Sequence, residues 1–337
     1  MARRTPYRRI PAARSVDKRW KTAACAGLVW ALRPARVRSQ PERMTRMRLS
    51  PILSALLFCA LTATTATAQG QCGGSFAGFL NGLKREAVAR GHAPATVDQF
   101  FATARQDPSV IRADRAQGVF QLPFIDFSRR LISQNRIQNG QANARKWDSV
   151  FDIAEQRYGV SRGVLLAFWA FETDYGAFQG DFNTLNALVT LSHDCRRPEL
   201  FRPQVFAALE LYEMGDFSPA GTTGAWAGEI GMVQMLPEDI IENGVDGDGD
   251  GHVRLKTSPP DALLSGAKML QSLGWRAGEP WLQEVTVPSD LDWYQTGLET
   301  TKTVQEWGNL GVRPRSGSFG PGTLDASIIL PQGRKGP

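Results

Sequence analysis

The sequence predicts a mainly α body of the α+β class with very little sheet. Apolar residues recur at i, i+3, i+4 and i+7 in segment after segment beyond residue 75. Few segments alternate with period two, and Leu282–Val287 is the best strand candidate. Hydrophobic residues make up 42% of the 337, enough for a sizeable core in one large domain or two modest ones.

The chain begins with a segment of different character. Residues 1–68 hold 14 Lys/Arg against Asp17 and Glu42, a net of +12 out of a whole-chain charge of +6, so the remaining residues carry −6. The basicity therefore belongs to the leader, and the nucleic-acid role that a basic chain invites loses its main support. Met47-Arg48-Leu49, the apolar run Ile52–Leu61 and Ala66-Thr67-Ala68 before Gln69 have the layout of a secretory signal peptide. The apolar run is too short to span a bilayer. Cys59 lacks the small residues that a lipidation signal places before its cysteine, so an exported, periplasmic protein with no stable membrane anchor is expected. Residues 1–43, rich in Arg, Pro and Ala, read as an extension upstream of the true start.

Beyond the leader, helices are expected in order. The first runs from Phe76 to about Arg90, with Phe79, Leu80, Leu83, Ala87 and Val88 on one stripe, and a second from Val97 to about Ala104. Residues 105–125, with Pro108 and Pro123, read as irregular. Phe127–Ile137 looks like a further helix start, and Ala142–Tyr158 reads as one helix, closed by Gly159. Ser161 is positioned to cap the next helix, Val164 to about Glu172. Leu165, Leu166, Phe168, Trp169 and Phe171 make that helix apolar almost all round, so it belongs in the interior. Leu185–Leu191, Phe201–Met214 and Asp261–Leu273 follow as helices, and the tail after Trp307 is rich in Gly and Pro. The division that results is a leader (1–68), an N-terminal helical region (69–160), a catalytic core (161–275) and a C-terminal segment (276–337).

Glu172 ends the most hydrophobic of these helices, with Phe168 and Trp169 one turn back. A carboxyl held against aromatic rings loses hydration and keeps its proton near neutrality, as a general acid requires. The residues alone leave two readings open, a general acid or a solvent-facing helix-terminal glutamate. Of the cysteines, Cys72 and Cys195 lie beyond the leader, and an exported chain can join them; spacing alone does not decide this. The three histidines form no zinc spacing and no nucleophilic triad.

Several ordered motifs decide between the readings. Glu172-Thr173-Asp174-Tyr175-Gly176, then Gly180 and Asn183–Leu191, resembles the catalytic stretch of the lytic murein transglycosylase B family. Gly224–Pro237 (GAWAGEIGMVQMLP) resembles that family's second motif, and Gly274-Trp275 and Trp307–Val312 also fit. The resemblance implies a lysozyme-like catalytic core acting on peptidoglycan glycan strands. It implies cleavage of the β-1,4 bond from N-acetylmuramic acid to N-acetylglucosamine, with a 1,6-anhydro end formed without water. Glu172 would be the single acid/base, because the substrate's own 6-hydroxyl supplies the nucleophile, whereas hydrolytic glycosidases use two carboxyls roughly 5–9 Å apart. Gln234, Arg196, Arg197 and Tyr175 fall at positions that the resemblance assigns to the sugar cleft. Asp174 and Asp181 are the only acids near Glu172 in sequence. Ala225 stands where some members of the family carry a serine. The family also continues, after a segment like Ser327–Gly333, into an aromatic-rich stretch that this sequence lacks before Pro337. A binding-only murein protein and a hydrolytic muramidase are therefore kept as alternatives.

Asp246-Gly247-Asp248-Gly249-Asp250-Gly251-His252 carries oxygens at positions 1, 3 and 5, a Gly at 6 and a carbonyl at 7 of an EF-hand-like loop. Position 12 is Thr257 rather than an acid. The family closes an enlarged loop of this kind with a later aspartate, which here is Asp261. A structural Ca²⁺ held by Asp246, Asp248, Asp250, the His252 carbonyl and Asp261 is the expectation that follows.

Overall fold

Ser75 opens the first helix: its hydroxyl accepts from the Gly78 N–H at 3.2 Å and satisfies one of the donors that a helix start leaves over. Helix α1 (Phe76–Ala89) buries Phe79, Leu83 and Ala87, while Val88 of the expected stripe stays exposed. The computed structural model describes residues 72–116 and 122–331. The expected leader, with Cys25 and Cys59, lies outside the described residues.

Helix α2 (Pro94–Phe101) starts on a proline, which fits the first turn because no intrahelical N–H is needed there. Helix α3 (Pro108–Arg115) corrects the reading of 105–125 as irregular. Asp107 caps it through the Ser109 N–H at 2.9 Å. It buries only Val110 and Asp114, so it shows no apolar stripe to a periodicity search.

A second correction concerns 124–158. In place of a helix start over Phe127–Ile137 and one helix over Ala142–Tyr158 stand α4 (Phe124–Leu131), α5 (Gln134–Lys146) and α6 (Asp148–Tyr158). Ser133 is extended and its hydroxyl caps the Arg136 N–H at 3.1 Å, which starts α5 afresh. Trp147 leaves helical geometry at φ −113 and ψ 28, so α6 begins again at Asp148. Gly159 ends α6 as expected, at φ 71; a β-carbon there would meet Ala277 Cβ at 2.3 Å.

Helix α7 (Arg162–Thr173) leads into the interior and is followed by α8 (Thr184–His193), whose residues Thr184–Ser192 are all buried. Helix α9 (Pro198–Met214) packs along α8 and ends on left-handed Gly215. Helices α10 (Pro237–Asn243) and α11 (Pro259–Ser272) close the body, α11 against α6 and α7. Helix α12 (Val304–Asn309) starts with a capping box between Thr303 and Glu306.

Sheet is confined, among the described residues, to three antiparallel pairs of two-residue strands. Strand β1 (Phe182–Asn183) pairs with β2 (Thr223–Gly224), with Phe182 opposite Gly224. Strand β3 (Val285–Thr286) pairs with β5 (Arg313–Pro314), and β4 (Lys302–Thr303) with β6 (Asp325–Ala326). Of the strand expected over Leu282–Val287, only Val285 and Thr286 are in the ladder. One core runs from Phe79 to Leu270 and is shared by helices on both sides of residue 160. A smaller one, of Leu291, Trp307, Val312 and Ile328, organises the C-terminal segment, with Trp307 Nε1 donating to the Ala326 carbonyl at 2.8 Å. Cys72 and Cys195 are joined in a disulfide with their Cα atoms 5.1 Å apart. Among the described residues, no helix is long and apolar enough to cross a membrane.

Candidate active site

Glu172 occupies the last turn of α7, where the chain must leave a buried helix and turn sharply. Asp174 and Tyr175 make that turn with φ of 50 and 61, left-handed values that cost non-glycine residues energy and collect at functional sites. Thr173 holds it in place. Its hydroxyl donates to the Met232 carbonyl at 2.6 Å and accepts from the Gly176 N–H at 2.9 Å. Gly180, at φ 81, lies so close to β2 that a β-carbon would meet the Gly224 carbonyl oxygen at 2.2 Å, so only glycine fits. The stretch after Glu172 and the Gly224–Pro237 segment thus form the two sides of one site.

The Glu172 carboxyl is half-buried. Burial, and after it the charge of Glu229, push its pKa up to about 8, so it keeps its proton at neutral pH. Phe168 and Trp169 are almost fully buried behind it. The charged neighbour is thus Glu229, on the facing segment, rather than the sequence neighbours Asp174 and Asp181. Burial also pushes Glu229 up, to about 7, with Arg197 and two backbone N–H groups pulling the other way. Sequence reading missed Glu229, although it sits inside the second motif.

The other expected cleft residues are tied into the scaffold. Tyr175 donates its hydroxyl to the Arg136 carbonyl at 2.9 Å and sets its ring edge-on to Trp169, at 5.4 Å between centroids. What it can offer a ligand is therefore ring surface rather than hydroxyl. Gln234 sits at φ 48 and donates its side-chain nitrogen to the Gly231 carbonyl at 2.8 Å. Arg196 and Arg197 both ion-pair with Asp114, a fully buried carboxylate that also binds Arg115. Arg197 is the more buried of the two, and its charge reaches Glu229.

The acidic loop brings three of its four expected aspartates together. Asp246, Asp248 and Asp261 place carboxylate oxygens within 4.8 Å of one another. Asp261 is fully buried and accepts from the Gly247 N–H at 2.9 Å and the Arg254 N–H at 2.7 Å. Asp250 stands apart, its carboxylate paired with Arg254. His252 pairs its ring Nδ1 with Asp216 at 2.7 Å, so its imidazole is engaged outside the aspartate triad. A converging set of hard oxygen donors around a buried carboxylate fits a divalent cation of the Ca²⁺ type. Just beyond the loop, Lys256 Nζ donates to the Thr223 carbonyl and hydroxyl, both at 2.7 Å, and its own carbonyl accepts from Gln179 Nε2. The loop is therefore latched to β2 and to the turn after Glu172.

A half-buried acid at the end of a buried helix, in a mainly α body with small antiparallel strand pairs beside it, is a lysozyme-like arrangement. The chain belongs to the transglycosylase SLT domain family, whose model matches residues 75–337. It is 26% identical over 193 residues to the membrane-bound lytic murein transglycosylase B of Escherichia coli K12, a match covering 57% of this chain and 53% of that protein. The matched region thus spans about half the length of that relative. SltB3 of Pseudomonas aeruginosa, solved with NAG-NAM-pentapeptide, is similar at a TM-score of 0.72 and 34% identity, over 78% of this chain and 71% of that one. The same protein with NAG-anhNAM-pentapeptide gives a TM-score of 0.71. The E. coli lytic transglycosylase Slt35 in complex with calcium matches at 0.68 and 25% identity, over 79% of this chain and 85% of that one.

Proposed function

We propose that the protein is an exported lytic transglycosylase that cuts the N-acetylmuramic acid to N-acetylglucosamine β-1,4 bond of peptidoglycan, with Glu172 as its single acid/base. The observation that carries this is the Glu172 carboxyl, half-buried at the cleft and protonated at neutral pH because its pKa is raised to about 8. Such a group can protonate the leaving glycosidic oxygen. The carboxylate left behind then takes the proton of the muramoyl 6-hydroxyl as that oxygen attacks the anomeric carbon. The C–O bond to the leaving sugar breaks, a 1,6-anhydro bond forms, and Glu172 regains its proton. The complex of the relative SltB3 with an anhydro-muropeptide supports this outcome.

Tyr175 would offer a ring face to a sugar, and Gln234 the oxygen of its amide. Arg196 and Arg197 would face the acidic groups of murein with whatever N–H groups Asp114 leaves them. Asp246, Asp248, Asp261 and the His252 carbonyl would hold Ca²⁺, which would brace the loop and take no part in the sugar chemistry. We place the protein in the periplasm and read residues 161–275 as its catalytic core, between an N-terminal helical region and the C-terminal segment.

The test is to incubate the purified form starting at Gln69 with intact murein and weigh the soluble products by mass spectrometry. Products one water lighter than hydrolytic ones support the proposal. Products that carry the water make it a muramidase, and bound murein without products makes it a binding protein. The Glu172→Gln variant, an isostere that cannot ionise, should bind murein and lose nearly all turnover.

A further inference from the structure

The second carboxyl of the site, Glu229, is built in with care and has no place in the mechanism above. The tight loop Ala225–Glu229 is closed by the Ala225 N–H donating to the Glu229 carbonyl at 2.9 Å. Gly224 admits this closure because a β-carbon there would sit 1.9 Å from the same oxygen. The bridge between Ile230 and Met235 fixes the residues that follow, with N···O distances of 2.8 and 3.1 Å. Glu229 Oε2 is sealed from solvent with no hydrogen-bond partner. A sealed carboxylate oxygen without a partner is costly, and such groups persist mainly where they have a task.

Charged groups reach it from three elements. The Thr173–Met232 bond and the close approach of Gly180 to Gly224 set the end of α7 against this segment, where the charge of Glu229 acts on Glu172, and those of Arg197 (before α9) and Asp239 (α10) act on Glu229. The Glu229 carboxyl also accepts from its own backbone N–H and that of Ala227. Arg197 is in turn held by Asp114, which it shares with Arg115 and Arg196.

We propose that Glu229 is a positioning residue: a sealed second carboxyl, set on the segment fastened to the helix end that carries Glu172, whose charge acts on Glu172 and not on the substrate. Of two neighbouring carboxyls, the one closer to a cation gives up its proton first, and its charge then opposes ionisation of the other. Burial is the larger cause at both carboxyls; beyond it, Arg197 favours the anion of Glu229, and the Glu229 anion opposes that of Glu172. No bond to substrate is asked of Glu229. The inference rests on the reading of Glu172 as the acid/base.

The test compares the pH profiles of turnover on murein for the wild type, Glu229→Gln and Glu229→Asp. With the charge gone, Glu172 should lose its proton at lower pH. The alkaline limb of the glutamine variant should then move down by about one pH unit, the scale at which two sites count as coupled. Turnover above both limbs should fall about tenfold, and the aspartate variant, which keeps the charge, should restore the limb. A purely structural role would lower turnover at every pH and leave the limb in place, and that result would overturn the proposal. Should the glutamine variant not fold, NMR of ¹³C-carboxyl-labelled glutamate in the wild-type protein decides instead, with the Glu172 signal assigned by its loss in Glu172→Gln. A Glu172 signal that also senses the Glu229 titration supports the proposal, and one that titrates in a single independent step overturns it. Failure of the underlying reading looks different: Glu172→Gln would keep its turnover, whereas failure of this inference alone leaves Glu172→Gln inactive and the Glu229→Gln limb unmoved.

Discussion

The Thr173 hydroxyl donates to the Met232 carbonyl at 2.6 Å, and through that bond the helix carrying Glu172 is fastened to the segment carrying Glu229 and Gln234. Thr173 is itself almost fully buried. Thr173→Val keeps the shape and removes the donor, which leaves a buried carbonyl unsatisfied at a cost of about 1–3 kcal/mol. Turnover should fall by more than the stability loss explains, because the two sides of the site lose their register. Urea unfolding and murein turnover, measured on the same preparation, separate the two effects.

The raised pKa of Glu172 is also a statement about stability. Its ordinary value is 4.5 and its folded value about 8, so between these the folded protein binds a proton that the unfolded chain does not. Stability must then fall as pH rises through this window, with Glu229 adding to the fall up to about pH 7. Glu172→Gln removes its share of the slope. The variant should therefore gain in melting temperature relative to wild type between pH 6 and about pH 8, a comparison that calorimetry at several pH values makes directly.

Calcium should raise the melting temperature, and chelation should lower it. A ligand that binds only the folded state adds about 2.7 kcal/mol at a hundredfold excess over its dissociation constant. Asp261→Asn should abolish the response, since Asp261 is the buried member of the triad and orders both Gly247 and Arg254. Asp250→Asn should weaken it less, because that carboxylate is paired with Arg254 and stands outside the triad. Isothermal titration with CaCl₂ gives the affinity in each case.

Asp114 gathers Arg115, Arg196 and Arg197 around one buried carboxylate. Replacing it by Asn takes the Asp114 charge from the largely buried Arg197, while Arg115 keeps Asp194, and removing one partner of a buried ion pair costs about 3–5 kcal/mol. Chemical denaturation would read the loss. A variant as stable as wild type would mean that the cluster contributes nothing net.

Glu172 was legible in the sequence because its signal is local. An acid ending an all-apolar helix and followed by Thr-Asp-Tyr-Gly carries both its burial and the turn beyond it in consecutive residues. Asp246 and Asp248 were legible for the same reason, whereas Asp261 was reached only through the family resemblance. Glu229 was not, because nothing in a loop of small residues says which distant helix end it faces. Asp114 was hidden too: α3 buries a charge where a periodicity search expects a hydrophobe, and two of the three arginines that make this tolerable, Arg196 and Arg197, lie in another part of the chain. The breaks at Ser133 and Trp147 escaped because each depends on a backbone conformation that the apolar pattern on either side does not record.

The Cys72–Cys195 bond closes a covalent ring around the first half of the body. Glu172 is inside the ring, while Glu229, Gln234 and the acidic loop hang outside it on the free strand of the loop. A protease that cuts once within the ring leaves two pieces that travel together until the bond is reduced. A single cut between 196 and 331 releases a fragment at once. Gels run with and without reductant would therefore sort every nick by whether it falls inside the ring, with Glu172, or beyond it, with Glu229 and the acidic loop.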